Sequence, residues 1–163
     1  MSDLEGLAPR VIARCRELKL RLVLAEACTG GLITAALTDV PGASAVVERA
    51  FVPYSNESKG EQLGVPLALL REHGSVSAQA VGAMVEGALQ RSWADWGVAE
   101  TGIAGPGGGT EAKPVGLVFV AVQRRGSPAV VERHLFPGDR RAVRQAASAR
   151  GLALLLEQLA VES

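Results

Sequence analysis

Two cysteines, Cys15 and Cys28, are all that the 163 residues contain. Two thiols make no disulfide framework, and a chain of this length needs none to hold a core. An excess of either charge is missing too, since 17 Lys and Arg balance 17 Asp and Glu. A general nucleic-acid binder would carry a basic excess, so direct nucleic-acid binding is not expected. Aromatic residues make up only 4%, too few to build stacking platforms for single strands. The longest strongly apolar stretch, residues 115–122, is interrupted by a glycine. A membrane helix needs about twenty apolar residues, so no membrane association is expected. The opening MSDLEGLAPR carries Asp3 and Glu5 and no apolar run, so no signal peptide is expected and a cytoplasmic protein is. The only histidines, His73 and His134, sit in no motif, and no cofactor is expected.

What is present is an ordinary globular composition, 48% apolar and 21% charged, at a length that fits one domain over residues 1–163. Leu4, Leu7, Val11, Cys15 and Leu18 recur at helical spacing and predict an amphipathic helix over 4–19. Residues 22–25 read as a short buried strand, and Thr29 is placed to cap a helix reaching Asp39, ended by Pro41-Gly42. The second half of 45–54 reads as a strand, 55–63 as a short helix, and Pro66 opens another helix that ends near Gly74. Ser77 caps the next helix, with Val81, Met84, Val85, Ala88 and Leu89 on one face. Residues 98–103 form a strand, and 115–122 and 129–135 form a hairpin turning at 125–128. A last helix begins at Asp139 and turns Val143, Ala146, Ala149, Leu152, Leu156 and Leu159 inward. Helices alternating with strands, followed by a hairpin, imply an α/β fold: a three-layer α/β/α sandwich with a mixed sheet.

The 19 glycines cluster instead of repeating. The segment 26–31, EACTGG, stands where a strand gives way to a helix, a place suited to an anion or a carboxamide oxygen. The densest run is 101–110, TGIAGPGGGT, followed by Lys113-Pro114. A P-loop would need Gly-Lys-Ser/Thr, and a dinucleotide fingerprint would need Gly where Thr110 stands, so both motifs are excluded. What remains is a loop beyond a strand's C-terminal end, where open α/β sheets bind ligands. From Arg124 onward seven arginines face four acids, and Arg133, Arg140, Arg141 and Arg144 are candidates to grip an anionic ligand.

Ser44, Tyr54 and Lys59 form a third group within one stretch. Amide hydrolysis needs a nucleophile, a base and an acid for the leaving amine. With no histidine nearby, a Ser–Tyr–Lys set is the available solution, because desolvation can bring a lysine's pKa down far enough for it to act as a base. Cys28 is a further candidate, a thiol close to a helix N-terminus.

EACTGG, GASAVVERAFVPYSNESK, LGVP, HGSVS, TGIAGPGGGTEAKPVG and FPGDRRAVR, in this order over residues 5–160, resemble the C-terminal domain family of the competence/damage-inducible protein CinA. The resemblance implies an α/β/α domain that hydrolyses nicotinamide mononucleotide to nicotinate mononucleotide and ammonia, a Ser–Lys type amidohydrolase without metal. Carried onto this chain, it makes Ser44 the nucleophile and Tyr54 and Lys59 the acid–base pair. Glu26, Thr29, Gly30, Gly31, Thr101, Gly102, Gly105 and Gly107 would then surround the nucleotide, with Arg140 on its phosphate. The family usually has Ser where this chain has Ala27, and Ala50 and Pro53 are smaller departures. Pro53 lacks a ladder N–H and points to an edge position. With Ser44, Tyr54 and Lys59 all present a working enzyme is expected. The alternative, motivated by Ala27, is a non-catalytic nucleotide-binding or regulatory module. The larger domain that often precedes this one in the family has no counterpart in the sequence, so its activity is not expected. Self-association into a homo-oligomer is compatible with either reading.

Overall fold

The apolar stripe that starts at Leu4 folds as α1 (Leu4–Leu18) and buries Leu4, Leu7, Ala8, Val11, Ile12 and Cys15. The structure, a computed structural model, describes residues 4–162. Beyond α1 the chain forms β1 (Leu22–Glu26), α2 (Leu32–Thr38), a 3-10 turn at Ala43–Ala45, β2 (Val47–Phe51), α3 (Asn56–Leu63) and α4 (Leu67–His73). It continues through α5 (Ala78–Gln90), β3 (Trp96–Gly102), β4 (Leu117–Arg124), β5 (Val130–Leu135) and α6 (Arg140–Glu162).

The five strands form one sheet in the order β2-β1-β3-β4-β5. β1 runs parallel to both β2 and β3, while β3–β4 and β4–β5 are antiparallel. The mixed sheet follows from the connections. Helices join the parallel strands, and the short turn after Arg124 can only join antiparallel neighbours. Alternation along the strands divides the core in two. Leu22, Leu24, Val98, Val118, Val120 and Val122 pack with α1, α2 and α6. Val23, Ala25, Ala99 and Ala121 pack with α3, α4 and α5. The second set is small, so α5 lies close to the sheet, and Val81, Met84, Val85, Ala88 and Leu89 are buried against it as expected.

Several boundaries differ from the sequence expectation. α2 starts at Leu32, because Gly30 and Gly31 adopt left-handed φ values of 62° and 103° that hold the chain out of the helix. Thr29 is not its cap. The Glu26 carboxylate accepts the N–H groups of Ile33 and Thr34, at 2.8 and 2.9 Å, and does that work from the strand. β4 begins two residues later than expected, after the turn at Gly116. In α6 Ala146, Ala149 and Leu156 are half-buried, while Ala147, Leu154 and Leu155 are buried. That helix is covered by both the sheet and α1, so its inward face is wider than one stripe. β2 is an edge strand with Pro53 just beyond it, as its missing N–H requires.

Candidate active site

The parallel strands β1, β2 and β3 all end at one pole of the sheet. There the 27–31 turn, the 52–55 segment and the 103–116 loop meet the start of α6.

Two glutamates end up side by side at this pole, since Glu26 and Glu100 are register partners on β1 and β3. Both are fully buried. The Glu26 oxygens accept from the hydroxyls of Thr29 and Thr34, both at 2.6 Å, as well as from the α2 amides. Glu26 and Thr29, expected to contact a ligand, are thus engaged within the protein. Glu100 accepts the N–H groups of Ala27 and Thr29, each at 3.0 Å. The Cys28 thiol neighbours the same carboxylate. Burial pushes the Glu100 carboxyl above its ordinary range, and these bonds work against that rise. Glu100 therefore occupies from inside two of the donors that the sequence suggested for an external anion.

Ser55 caps α3 by accepting the Ser58 N–H at 3.0 Å. That start places Lys59 one turn into the helix, pointing inward. It is only 3% exposed, and its Nζ donates to the Tyr54 carbonyl at 3.1 Å. Burial lowers its pKa, while Glu100, Cys28 and Glu57 pull it the other way. Leu63, one turn further on, shares a core cluster with Ala27, so the residue that replaces the expected serine lies on the Lys59 side.

Tyr54 is 60% exposed, and its hydroxyl accepts from Arg140 at 3.2 Å. Arg140 also donates to the Gly105 carbonyl at 2.8 Å, bridging the 103–116 loop to Tyr54. Arg144 donates to the carbonyls of Cys28 and Thr29 at 3.0 and 2.9 Å. Both glycine segments are thereby tied to the first turns of α6. Beside these arginines lies a cleft of about 930 Å³ with Arg140, Arg141, Arg144 and Gln145 over an apolar floor that includes Leu32 and Val115. Arg133 is not part of it, being carried on β5.

The remaining predicted residues divide. Thr101 donates its hydroxyl to the Ser75 carbonyl at 2.7 Å and so anchors the segment before α5. Gly102 packs under Cys28, Gly105 meets Arg140, and Gly107 stands open. Ser44 is elsewhere. It is exposed in the 3-10 turn before β2, whereas Tyr54 follows β2. The strand between them rises about 3.3 Å per residue and separates them by on the order of 13 Å. Ser44 thus stands at the start of β2 and Tyr54 beyond its end, and no hydrogen bond joins Ser44 to Tyr54 or Lys59 among the described residues. The hydroxyls that do lie near Lys59 on the chain are engaged locally, Ser55 as the cap and Ser58 on the Ser55 carbonyl at 2.8 Å. Cys28 is buried, and burial followed by the neighbouring Glu100 pushes its thiol far above the usual range, a setting in which thiols are inert.

Glu100 and Arg144 are the members of this site whose roles the sequence did not reveal. The available signal for Glu100 was a carboxylate in the otherwise uncharged strand WGVAETG. Among the described residues no His, Cys, Asp and Glu group could hold a metal ion, and no helix is long and apolar enough to cross a membrane.

The family model described as the CinA C-terminal domain matches residues 4–159. A CinA-like protein of Akkermansia muciniphila is 49% identical over 93% of the chain, which spans 37% of that protein. A putative competence-damage inducible protein of Caldicellulosiruptor bescii is 45% identical, with 96% of the chain and 38% of the relative aligned. The chain thus spans little more than a third of these relatives. The nicotinamide-nucleotide amidohydrolase PncC of Escherichia coli K12 is 42% identical, with 96% and 95% of the two chains aligned. The crystal structure of competence/damage inducible protein CihA from Agrobacterium tumefaciens superposes with a TM-score of 0.94 at 44% identity, covering 96% of each chain. The α/β/α sandwich with its mixed sheet is the fold of that group, and this chain belongs to the CinA C-terminal domain family.

Proposed function

We propose that this chain hydrolyses the carboxamide of nicotinamide mononucleotide, with Lys59 as the base and water as the attacking group. The observation that carries this reading is Lys59, a buried amine whose pKa is lowered by its surroundings, at the pole where both glycine segments and Arg140 meet. The likeness to the Escherichia coli nicotinamide-nucleotide amidohydrolase, over nearly the whole of both chains, supports the choice of substrate. The phosphate fits the arginine-lined cleft, where guanidinium groups can hold it in two-point contacts. The nicotinamide ring then reaches past Arg140 toward Tyr54 and Lys59.

Ala27 has no nucleophilic atom and Ser44 is at the other end of the sheet. Neutral Lys59 therefore takes a proton from water while the oxygen attacks the amide carbon. The tetrahedral intermediate collapses as Lys59 returns that proton to the nitrogen. The C–N bond breaks to give the carboxylic acid and ammonia, and the acid's proton passes to the ammonia, so that nicotinate mononucleotide and ammonium leave. Arg140 and the Tyr54 hydroxyl are placed to stabilise the charge that develops on the oxygen. Because the base works unprotonated, turnover should rise with pH through a midpoint below the ordinary lysine value.

A second reading, a nucleotide-binding module without turnover, is favoured by Ala27 alone. Ammonia release from nicotinamide mononucleotide separates the two. Wild type and Ser44→Ala should release it at equal rates, and Lys59→Met should be slower by about 10²–10⁴-fold. Tight binding of the nucleotide without ammonia from any of the three would establish the second reading instead.

A further inference from the structure

At the opposite pole, where β1, β2 and β3 begin, stands a group for which the proposed reaction has no use. Trp93 lies in the turn before β3 with 75% of its surface exposed, in a chain that has only two tryptophans. The backbone around it is held residue by residue. Arg49 donates to the Arg91 carbonyl at 2.8 Å, and Arg125 donates to the carbonyls of Ser92 and Ala94 at 2.9 and 2.8 Å. The Trp93 N–H donates to Glu48 at 3.0 Å, and the Asp95 N–H donates to the Arg21 carbonyl at 2.8 Å. Folding gains nothing from an indole left in water. A turn fixed from so many sides beneath an exposed indole is a preformed platform, with its ordering cost already met.

Two open hollows share Trp93 as a wall. Arg49, Arg91 and Arg125 line one, of about 600 Å³. Arg16, Lys19 and Arg21 line the other, of about 450 Å³, together with Asp95. All six cations are exposed. The carboxylates beside them are engaged: Glu48 accepts from Arg49 at 2.9 Å as well as from the Trp93 N–H, and Asp95 accepts the Arg21 N–H at 2.8 Å. Lys19 is also the one non-glycine among the described residues with a left-handed φ, 57°, so a cation is held there against its backbone preference. We propose that this pole is a second nucleotide site, in which a base stacks on Trp93 and phosphates on either side of its sugar lie in the two hollows. An indole face accepts any heteroaromatic base, and guanidinium groups grip phosphate in two-point contacts. The ligand is thus a nucleoside phosphorylated at both its 5′ and 3′ oxygens, either free or within a single strand. A second copy of this chain would bring the same cations face to face across a two-fold contact, and an acidic peptide would leave the indole unused. The balanced charge of the whole chain is no obstacle, because α1, β2 and three turns bring these cations to one pole.

Trp96, the other tryptophan, is only 4% exposed, so a ligand that quenches the emission by stacking reports on Trp93. Adenosine 3′,5′-bisphosphate and a six-nucleotide single strand of deoxyadenosine are the two probes. At least one should quench the emission saturably, with an affinity that falls as salt is raised. Tighter binding of the bisphosphate identifies a free nucleotide as the ligand, and tighter binding of the hexamer identifies a single strand. Calorimetry with the tighter probe should show binding weakened about tenfold or more by Trp93→Ala, and weakened also by Lys19→Glu. Both side chains are exposed, so the urea midpoints of the two variants should match the wild type. The wild-type quenching and its salt dependence need neither variant. The arginine-lined cleft at the far pole is able to hold these probes too, but binding there leaves the Trp93 emission unchanged. No quenching by either probe at about 1 mM, or binding that Trp93→Ala leaves unmoved, overturns the proposal. Inorganic phosphate or hexaglutamate bound as tightly as the better probe overturns it as well, since neither has a base to stack. None of these outcomes bears on ammonia release, which belongs to the other pole.

Discussion

A serine at position 27 would differ from the alanine present by one oxygen, and on the proposed reading that oxygen decides how the amide is attacked. The methyl group of Ala27 belongs to the cluster that includes Leu63, one turn from Lys59. An added hydroxyl there would lie toward the amine and supply a nucleophile that the present site must take from solvent. Ala27→Ser should therefore raise ammonia release, by about tenfold or more if water is the slower attacker. The measurement is kcat at saturating nucleotide, and an unchanged or lower kcat would mean that the hydroxyl is not aimed at the substrate. Tyr54 and Lys59 stand close in the sequence and meet in the structure through the Tyr54 carbonyl, which accepts from Lys59 across the cap at Ser55. Ser44 is a different case, since β2 lies between it and Tyr54 and closeness in sequence does not by itself make them neighbours. Glu100 was invisible as a site residue, since its partners are the amides of a turn some seventy residues earlier.

At the scale of elements, local patterning carried most of the information. The stripe in α5 and the cap at Ser77, whose hydroxyl accepts the Ala80 N–H at 3.1 Å, need no distant residue to be recognised. What patterning omits is how closely elements approach one another. A Cβ at Gly87 would stand 2.0 Å from the Leu63 carbonyl oxygen, so α5 meets the end of α3 backbone to side with no room for a methyl group. Gly87→Ala should destabilise the protein by about 2 kcal/mol, read as a lower urea midpoint with an unchanged m value. Because α3 carries Lys59, the same change should also lower ammonia release in the folded fraction. Loss of stability with wild-type turnover would show that α3 can shift without disturbing its lysine. The helical start at Leu32 and the later start of β4 were missed for want of the same long-range information. Glu26 caps α2 from the strand, and the 103–116 loop is held by groups outside it, with Lys113 donating to the His73 carbonyl at 2.6 Å.

Across the whole molecule, the direction of the sheet does what composition could not reveal. A net charge of zero excluded a basic surface on average, yet Arg140, Arg141 and Arg144 gather at one cleft because α6 begins where β1, β2 and β3 end. The opposite flank of α6 is fastened to the sheet by charge. Arg150 donates to both Glu132 oxygens at 2.7 and 2.9 Å and to Glu157, and His134 meets Glu132 at 2.8 Å. Arg150 and then His134 hold the Glu132 carboxyl well below its ordinary range, at about 2. Since the folded pKa lies below the unfolded one, this network stabilises the fold above the ordinary carboxylate value and loses its contribution as pH falls toward 2. The group is partly exposed, and solvent limits the contribution to about 1 kcal/mol. Urea midpoints measured from pH 6 down to pH 2 should therefore fall less steeply in Glu132→Gln than in the wild type, the two curves converging at the acid end. Parallel curves would mean that β5 and α6 are held together by their apolar contacts alone. Convergence would show that the helix carrying the cleft arginines is anchored to the edge of the sheet by a carboxylate far from that cleft.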